Sequence, residues 1–250
     1  MKKLILSIDQ GTTSSRSILF DLKGKKILVH GGGKRATHIA SKLGIESKII
    51  NGRRITDAKT LEVITMVYGG LVNKNMVAKL QALQINAIGL TGADMNSIRS
   101  EKRPVKEIDF GLVGDVKEIA STAIQKLIQV DFTPVFCAIT HDGNGQLLNT
   151  NADTIASQVA VGMSKIYETS IYYCFELNGV LRDIDDKKSV IKAINSKKYQ
   201  ELLKDGIITD GLLPKLENCF DALKNGVHKV NMGNTAMLTK ENDHFTTITL

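Results

Sequence analysis

The chain has 250 residues, of which 42% are hydrophobic and 24% are charged, as in an ordinary globular protein of enzyme size. This composition excludes a disordered chain, and no apolar run approaches the ~20 residues of a membrane-spanning helix. The net charge of +7 is spread along the chain with few aromatic residues, which favours small anionic substrates over nucleic acid. The three cysteines lack C-x-x-C spacing, which argues against a disulfide framework and structural zinc. The N-terminus carries charged residues too early for a signal peptide. We therefore expect a reduced, cytoplasmic protein with no membrane partner.

Strand-like and helix-like segments alternate along the chain, which predicts an α/β fold, a three-layer αβα sandwich on a mostly parallel central sheet. In chain order we predict a strand at 26–30, a helix at 36–43, a helix from the cap at 56–57 to about residue 81, strands at 86–90 and 133–139, a helix at 152–161, a strand at 170–175, and helices at 199–204 and 216–224. The long second helix contains Gly69 and Gly70 in its middle, and residues 182–188 form a solvated loop.

A triple glycine follows the first of these strands. His30 is succeeded by Gly31, Gly32 and Gly33, and two basic residues come directly before the next helix. Glycines allow backbone N–H groups to approach an anion closely, and a helix N-terminus favours negative charge. The pattern is equally compatible with a tight strand-to-helix turn.

Three further segments carry polar residues that admit two interpretations. Asn149, Asn151 and Asp153 alternate just before a helix, where they face a ligand or cap the helix. Arg54 belongs to a pair of arginines that clamps a carboxylate or faces solvent. Lys215 lies at a helix start, where a cation opposes the helix dipole; this mild cost suggests a functional role, although a solvated lysine is the commoner case.

Taken in order, these segments resemble one family. The matching stretches are KILVHGGG (26–33), NGRRITD (51–57), YGGLVNK (68–74), GLTGAD (89–94), GLVG (111–114), LNTNAD (148–153) and IITDGLLPK (207–215). From about residue 25 onward the chain therefore resembles the amino acid kinase superfamily, and within it the acetylglutamate kinases.

The resemblance implies a fold, a reaction and partners. It implies the amino acid kinase fold in one continuous domain, with an N-terminal lobe (1–160) for the acylated amino acid and a C-terminal lobe (161–250) for the nucleotide. The implied reaction is ATP-dependent phosphorylation of the γ-carboxylate of N-acetylglutamate, or of N-succinylglutamate, in arginine biosynthesis. Mg²⁺ would arrive with ATP, no protein side chain would bind metal, and the enzyme would be a homodimer.

The resemblance also assigns roles to individual residues. Gly32 and Gly33 would cradle the transferring phosphoryl group, while Arg54, Asn149 and Asn151 would hold the acylated amino acid. Lys215 would neutralise charge during transfer, and Asp153 would orient lysines. The nucleotide would be bound by Gly31, Ile208, Thr209 and Gly211.

The N-terminus departs from the family pattern. The family's first strand ends in Lys-x-Gly-Gly, whereas LILSIDQGTTSSRSILFD (4–21) stands here, and residues 4–24 resemble the start of glycerol kinases. Three explanations remain open. The segment is a splice, or it docks as the missing strand with a replacement phosphate turn at 11–13, or the chain is a catalytically impaired, ligand-binding paralogue.

Overall fold

The structure, a computed structural model, describes residues 3–9 (backbone only), 24–50, 53–208, 212–238 and 244–250. These residues divide into two compact units. Residues 27–155 form the first, and residues 3–9, 24–26 and 156–250 belong to the second.

The elements alternate between strand and helix along most of the chain. In order they are β1 (Lys3–Asp9), β2 (Lys25–His30), α1 (Gly33–Lys42), β3 (Ile49–Ile50), β4 (Arg53–Arg54), α2 (Ala58–Ile64), a π-helical segment (Thr65–Val72), α3 (Asn73–Ala82), β5 (Ala87–Leu90), β6 (Ile98–Lys102), β7 (Gly114–Ile119), α4 (Ser121–Gln129), β8 (Thr133–Cys137), β9 (Ile139–His141), β10 (Leu147–Asn149), α5 (Ala152–Ser164), β11 (Glu168–Cys174), β12 (Ala193–Ile194), α6 (Ser196–Lys204), α7 (Leu213–Lys224), β13 (Lys229–Gly233) and β14 (Thr246–Ile248).

The first unit is built around the parallel strands β2, β8 and β5, with β8 in the centre. Every residue of β8 from Pro134 to Cys137 is buried. Because successive strand side chains point to opposite faces, continuous burial means that both faces of β8 are covered. On one face, Met76 and Leu80 of α3 pack against Val135. A four-stranded, mostly antiparallel sheet, in the order β10-β9-β6-β7, completes this unit.

The second unit contains a mostly parallel sheet in the order β12-β14-β13-β11-β1. β11 pairs in parallel with β13 on one side and with β1 on the other, where Lys3 lies opposite Glu168 and Asp9 opposite Cys174. The N-terminal segment therefore forms a strand, as the second of the three explanations for it requires. The turn proposed at 11–13 lies outside the described residues.

The long helix predicted from 56 to 81 is one unbroken helical run whose middle is π-helical. Its cap is confirmed, since the Asp57 carboxylate accepts a hydrogen bond of 2.7 Å from the Thr60 N–H. This bond also lowers the pKa of Asp57, because it favours the ionised form. The π segment contains both Gly69 and Gly70, so the two glycines change the helical winding instead of ending the helix.

The fold class predicted from the sequence is confirmed. The predicted strand at 133–139 is wrong in one respect, because the chain turns at Ala138 and continues as β9 in the other sheet. The prediction also omitted α4 and the strands of the antiparallel sheet. Within the described residues, no helix is long and apolar enough to cross a membrane.

Candidate active site

The triple glycine forms a sharp turn between β2 and α1. Gly32 has φ 153° and is the N-cap of α1. A Cβ at this position would lie 2.9 Å from Cδ1 of the Tyr68 ring and 3.5 Å from Cγ2 of Val72. Both the backbone conformation and the close approach of the ring therefore require glycine.

Two helices begin beside this turn. The Ala36 N–H donates to the Gly32 carbonyl over 2.9 Å, as the first intrahelical bond of α1, so the N–H groups of residues 33–35 have no partner within the helix. A Cβ on Gly31 would lie 3.8 Å from the Cβ of Ala152, the first residue of α5. The N-termini of α1 and α5 thus meet at Gly31, and both contribute partial positive charge.

Arg54 connects the β3–β4 hairpin to the start of α1. Its guanidinium donates through Nη2 to the Gly33 carbonyl at 3.0 Å and to the Thr37 hydroxyl at 2.8 Å, and through Nη1 to the Ser47 hydroxyl at 2.6 Å. The residue is buried, with 9% of its surface exposed. Arg54 is therefore held in a fixed orientation beside the glycine turn, and does not face bulk solvent.

A buried pair of polar side chains lies directly behind the turn. The Asn73 amide nitrogen donates to the Val135 carbonyl at 2.9 Å and lies 3.0 Å from His30 Nε2. Since a carbonyl only accepts, this contact identifies the amide nitrogen of Asn73, and His30 Nε2 must then accept from it. The proton of the neutral ring is consequently on Nδ1, which donates to the Gly31 carbonyl at 2.7 Å. Burial lowers the pKa of His30, although the bond to Gly31 partly opposes this shift.

The three polar residues before α5 have different surroundings. Asn149 donates from Nδ2 to the Thr56 hydroxyl at 3.0 Å, which ties β10 to the start of the long helical run. Asn151 accepts from the Thr154 N–H at 3.1 Å and caps α5, as one of the two interpretations supposes. Asp153 is buried in the first turn of α5, where the helix dipole favours its negative charge.

The remaining predicted site residues belong to the second unit. Lys215 lies in the first turn of α7, with Nζ 5.6 Å from the ring centre of Phe175 and 6.0 Å from that of Tyr173. Ile208 is buried. Thr209 and Gly211 lie outside the described residues.

Within the first unit the structure therefore brings together the glycine turn, Arg54 and the start of α5. Sequence reasoning missed the support behind the turn, which comes from Tyr68, His30 and Asn73. One signal was available: a pair of glycines inside an otherwise helical pattern, three residues before a polar Asn73.

The chain matches the model of the amino acid kinase family over residues 12–234. It is 58% identical over 209 residues to the acetylglutamate kinase of Bacteroides fragilis, an alignment covering 84% of this chain and 80% of that protein. It is 52% identical over 238 residues to the acetylglutamate kinase of Parabacteroides distasonis, covering 92% and 93% respectively. The predicted resemblance is confirmed, whereas the likeness of residues 4–24 to glycerol kinases gains no support.

Solved structures share the fold. The smu.665 protein of Streptococcus mutans superposes with a TM-score of 0.81 at 24% identity, covering 99% of this chain and 98% of that one. N-acetylglutamate synthase from Neisseria gonorrhoeae, complexed with coenzyme A and N-acetyl-glutamate, also has a TM-score of 0.81, at 18% identity. It covers 100% of this chain, which spans 59% of the synthase.

The geometry of the glycine turn predicts different outcomes for two adjacent substitutions. Gly32→Ala should destabilise the protein by about 1–3 kcal/mol, because alanine must adopt a positive φ and press against the Tyr68 ring. Gly31→Ala should change stability by less than about 0.5 kcal/mol, since its Cβ makes only ordinary contacts. Urea denaturation of both variants measures the difference, and equal losses would contradict the prediction.

The buried His30 predicts a loss of stability in mild acid. Its pKa in the folded protein lies below the ordinary value of 6.5, so below pH 6.5 the unfolded chain binds a proton that the folded protein excludes. The free energy of unfolding should therefore decrease as pH falls, by up to about 1.4 kcal/mol per pH unit for this one group. His30→Asn should reduce the slope between pH 6.5 and 5. The matched control is His38→Asn, at an exposed histidine of α1, which should retain the wild-type slope.

Proposed function

The chain belongs to the amino acid kinase family, and we propose that it transfers the γ-phosphoryl group of ATP to the γ-carboxylate of N-acetylglutamate. The observation that carries this proposal is the meeting of the α1 and α5 N-termini at a turn that only glycine can form. Such a turn presents backbone N–H groups and two helix dipoles to a single anion. The high identity to acetylglutamate kinases supports the same reaction.

The reaction needs positioning and charge stabilisation more than it needs acid–base chemistry. A γ-carboxylate is ionised at neutral pH, so the nucleophile requires no general base. In phosphoryl transfer, charge spreads over the equatorial oxygens, and fixed N–H donors stabilise it without reorganisation. Gly32 and Gly33 would supply those donors to the equatorial oxygens. The chemistry that Mg²⁺ supplies is charge neutralisation on the ATP phosphates. Mg²⁺ would enter the site with ATP.

The acceptor would be held by groups of the first unit. Arg54 is already oriented by Ser47, Thr37 and Gly33, and a guanidinium suits a carboxylate bidentately. Asn149 and Asn151 lie on either side of Thr150, directly before α5, and they would contact the acylated amino group. The acyl group would be acetyl, and the alternative is succinyl. The assay below distinguishes the two acyl groups.

The second unit would bind the nucleotide. Lys215 is the residue that would neutralise charge on the transferring phosphoryl group, with Ile208, Thr209 and Gly211 on the nucleotide side. Two aromatic rings beneath its ammonium limit the orientations of the side chain. Asp153 would orient lysines near the reacting atoms. No observation on the described residues favours the catalytically impaired alternative.

The enzyme would act as a homodimer. Met66 and Leu71 of the π-helical segment expose 56% and 40% of their surface, and both are large apolar side chains on one helical run. Their burial against a second copy would remove apolar surface from water.

The direct test is to incubate the purified protein with MgATP and N-acetylglutamate, and to measure ADP together with hydroxylamine-trapped acyl phosphate. Both products should form in equal amounts, because an acyl phosphate yields a hydroxamate. N-succinylglutamate in place of N-acetylglutamate identifies the acyl group, and unacylated glutamate serves as the negative control. Absence of hydroxamate with both acylated substrates would overturn the proposal.

Lys215→Ala should lower kcat by about 10²–10³-fold, the loss typical of one preorganised charge-stabilising group. Lys224→Ala is the matched control, because this lysine lies exposed at the other end of α7. The control should retain wild-type kcat within about twofold. Equal activity of the two variants would remove Lys215 from the proposed mechanism.

A further inference from the structure

Tyr68 lies in the middle of the π-helical segment, and its ring lies against the glycine turn. The nearest ring atoms, Cδ1 and Cε1, are 2.9 and 3.0 Å from where a Cβ of Gly32 would lie. The residue is 6% exposed, so the ring fills the space behind the turn almost completely. The ring thereby opposes inward movement of the peptide that is proposed to hold the phosphoryl group.

The hydroxyl of the same side chain reaches the other half of the proposed site. It lies 3.9 Å from where a Cβ of Gly33 would lie, and the Gly33 carbonyl accepts from the Arg54 guanidinium at 3.0 Å. The Arg54 guanidinium is also close enough to the Tyr68 hydroxyl to affect its protonation. Burial raises the pKa of Tyr68, and Arg54 partly opposes the rise. The phenol is therefore neutral at physiological pH and forms a polar contact with the guanidinium.

We propose that Tyr68 is a positioning residue that links the phosphoryl-binding turn to the arginine that holds the acceptor. Its ring supports Gly32, and its hydroxyl adds a polar contact to the three hydrogen bonds that hold Arg54. The inference rests on the proposed function and adds to it a residue that touches neither substrate. Tyr68 lies in the π-helical segment, and such segments widen a helix, redirect its side chains and recur at functional sites.

The hydroxyl and the ring of Tyr68 can be tested by two different substitutions. Tyr68→Phe keeps the ring and removes the hydroxyl, so it should raise the KM for N-acetylglutamate about tenfold, as expected for the loss of one polar contact with a charged group. The KM for ATP and kcat should remain within about twofold of wild type. Tyr68→Leu also removes the ring, and it should lower kcat by at least about tenfold because the glycine turn loses its support. A purely structural role would change kcat and both KM values together.

A double-mutant cycle with Arg54→Lys tests the link directly. The KM increase caused by Arg54→Lys should be smaller in the Tyr68→Phe background than in wild type, since the two changes remove the same contact. Tyr199→Phe, at a buried tyrosine of the second unit, controls for loss of a buried hydroxyl and should leave kinetics unchanged. Wild-type KM in Tyr68→Phe, or additive effects in the cycle, would overturn the inference.

The proposed link between Tyr68 and Arg54 can be tested even if the protein has no kinase activity. Absence of turnover in the wild-type protein would refute the proposed reaction, and the double-mutant cycle would then be measured on free energies of unfolding. Non-additive losses for Tyr68→Phe and Arg54→Lys would support the link, while additive losses would overturn it.

Discussion

The constraint on which the site depends is the missing side chain at Gly32. The Tyr68 ring occupies the space that a Cβ would need, and the backbone at Gly32 has a φ that other residues adopt only with strain. The turn can therefore lie close to both a helix N-terminus and an aromatic wall. A larger residue would separate these elements, and the N-termini of α1 and α5 would no longer meet at the turn as the proposed phosphoryl site requires.

The hydrogen bonds of the buried groups behind the turn run in one direction, although the Asn73 Oδ1 atom is buried without a partner. Asn73 donates to Val135 and His30, and His30 in turn donates to the Gly31 carbonyl. Reversing any member would place two donors or two acceptors face to face in a site without water access, which costs more than a typical hydrogen bond contributes. The network thus fixes the orientation of the Gly31 peptide, and the burial that makes it specific also lowers the pKa of His30.

Sequence patterns predicted most elements because strands and helices bury their apolar residues at characteristic periods. They predicted the turn at the triple glycine and the cap at Asp57, whose chemistry is local. They did not predict the role proposed for Tyr68, because an aromatic residue in an apolar helix normally packs in the core. Nor did they separate β8 from β9, since residues 133–139 form one mostly apolar run and the change of sheet at Ala138 depends on tertiary pairing.

The carboxyl ends of β1 and β11 lie at one edge of the sheet of the second unit, and a lysine lies near that edge. β1 runs parallel to β11 and ends with Asp9 opposite Cys174, so both strands have their carboxyl ends at one edge of the sheet of the second unit. Phe175 follows at that edge, and its ring lies 5.6 Å from the Lys215 ammonium. Parallel sheets bind ligands at this edge, because the loops and helix starts that follow the strands gather there. Lys215 thus places an ammonium group near this edge, which suits the phosphate-binding role proposed for it.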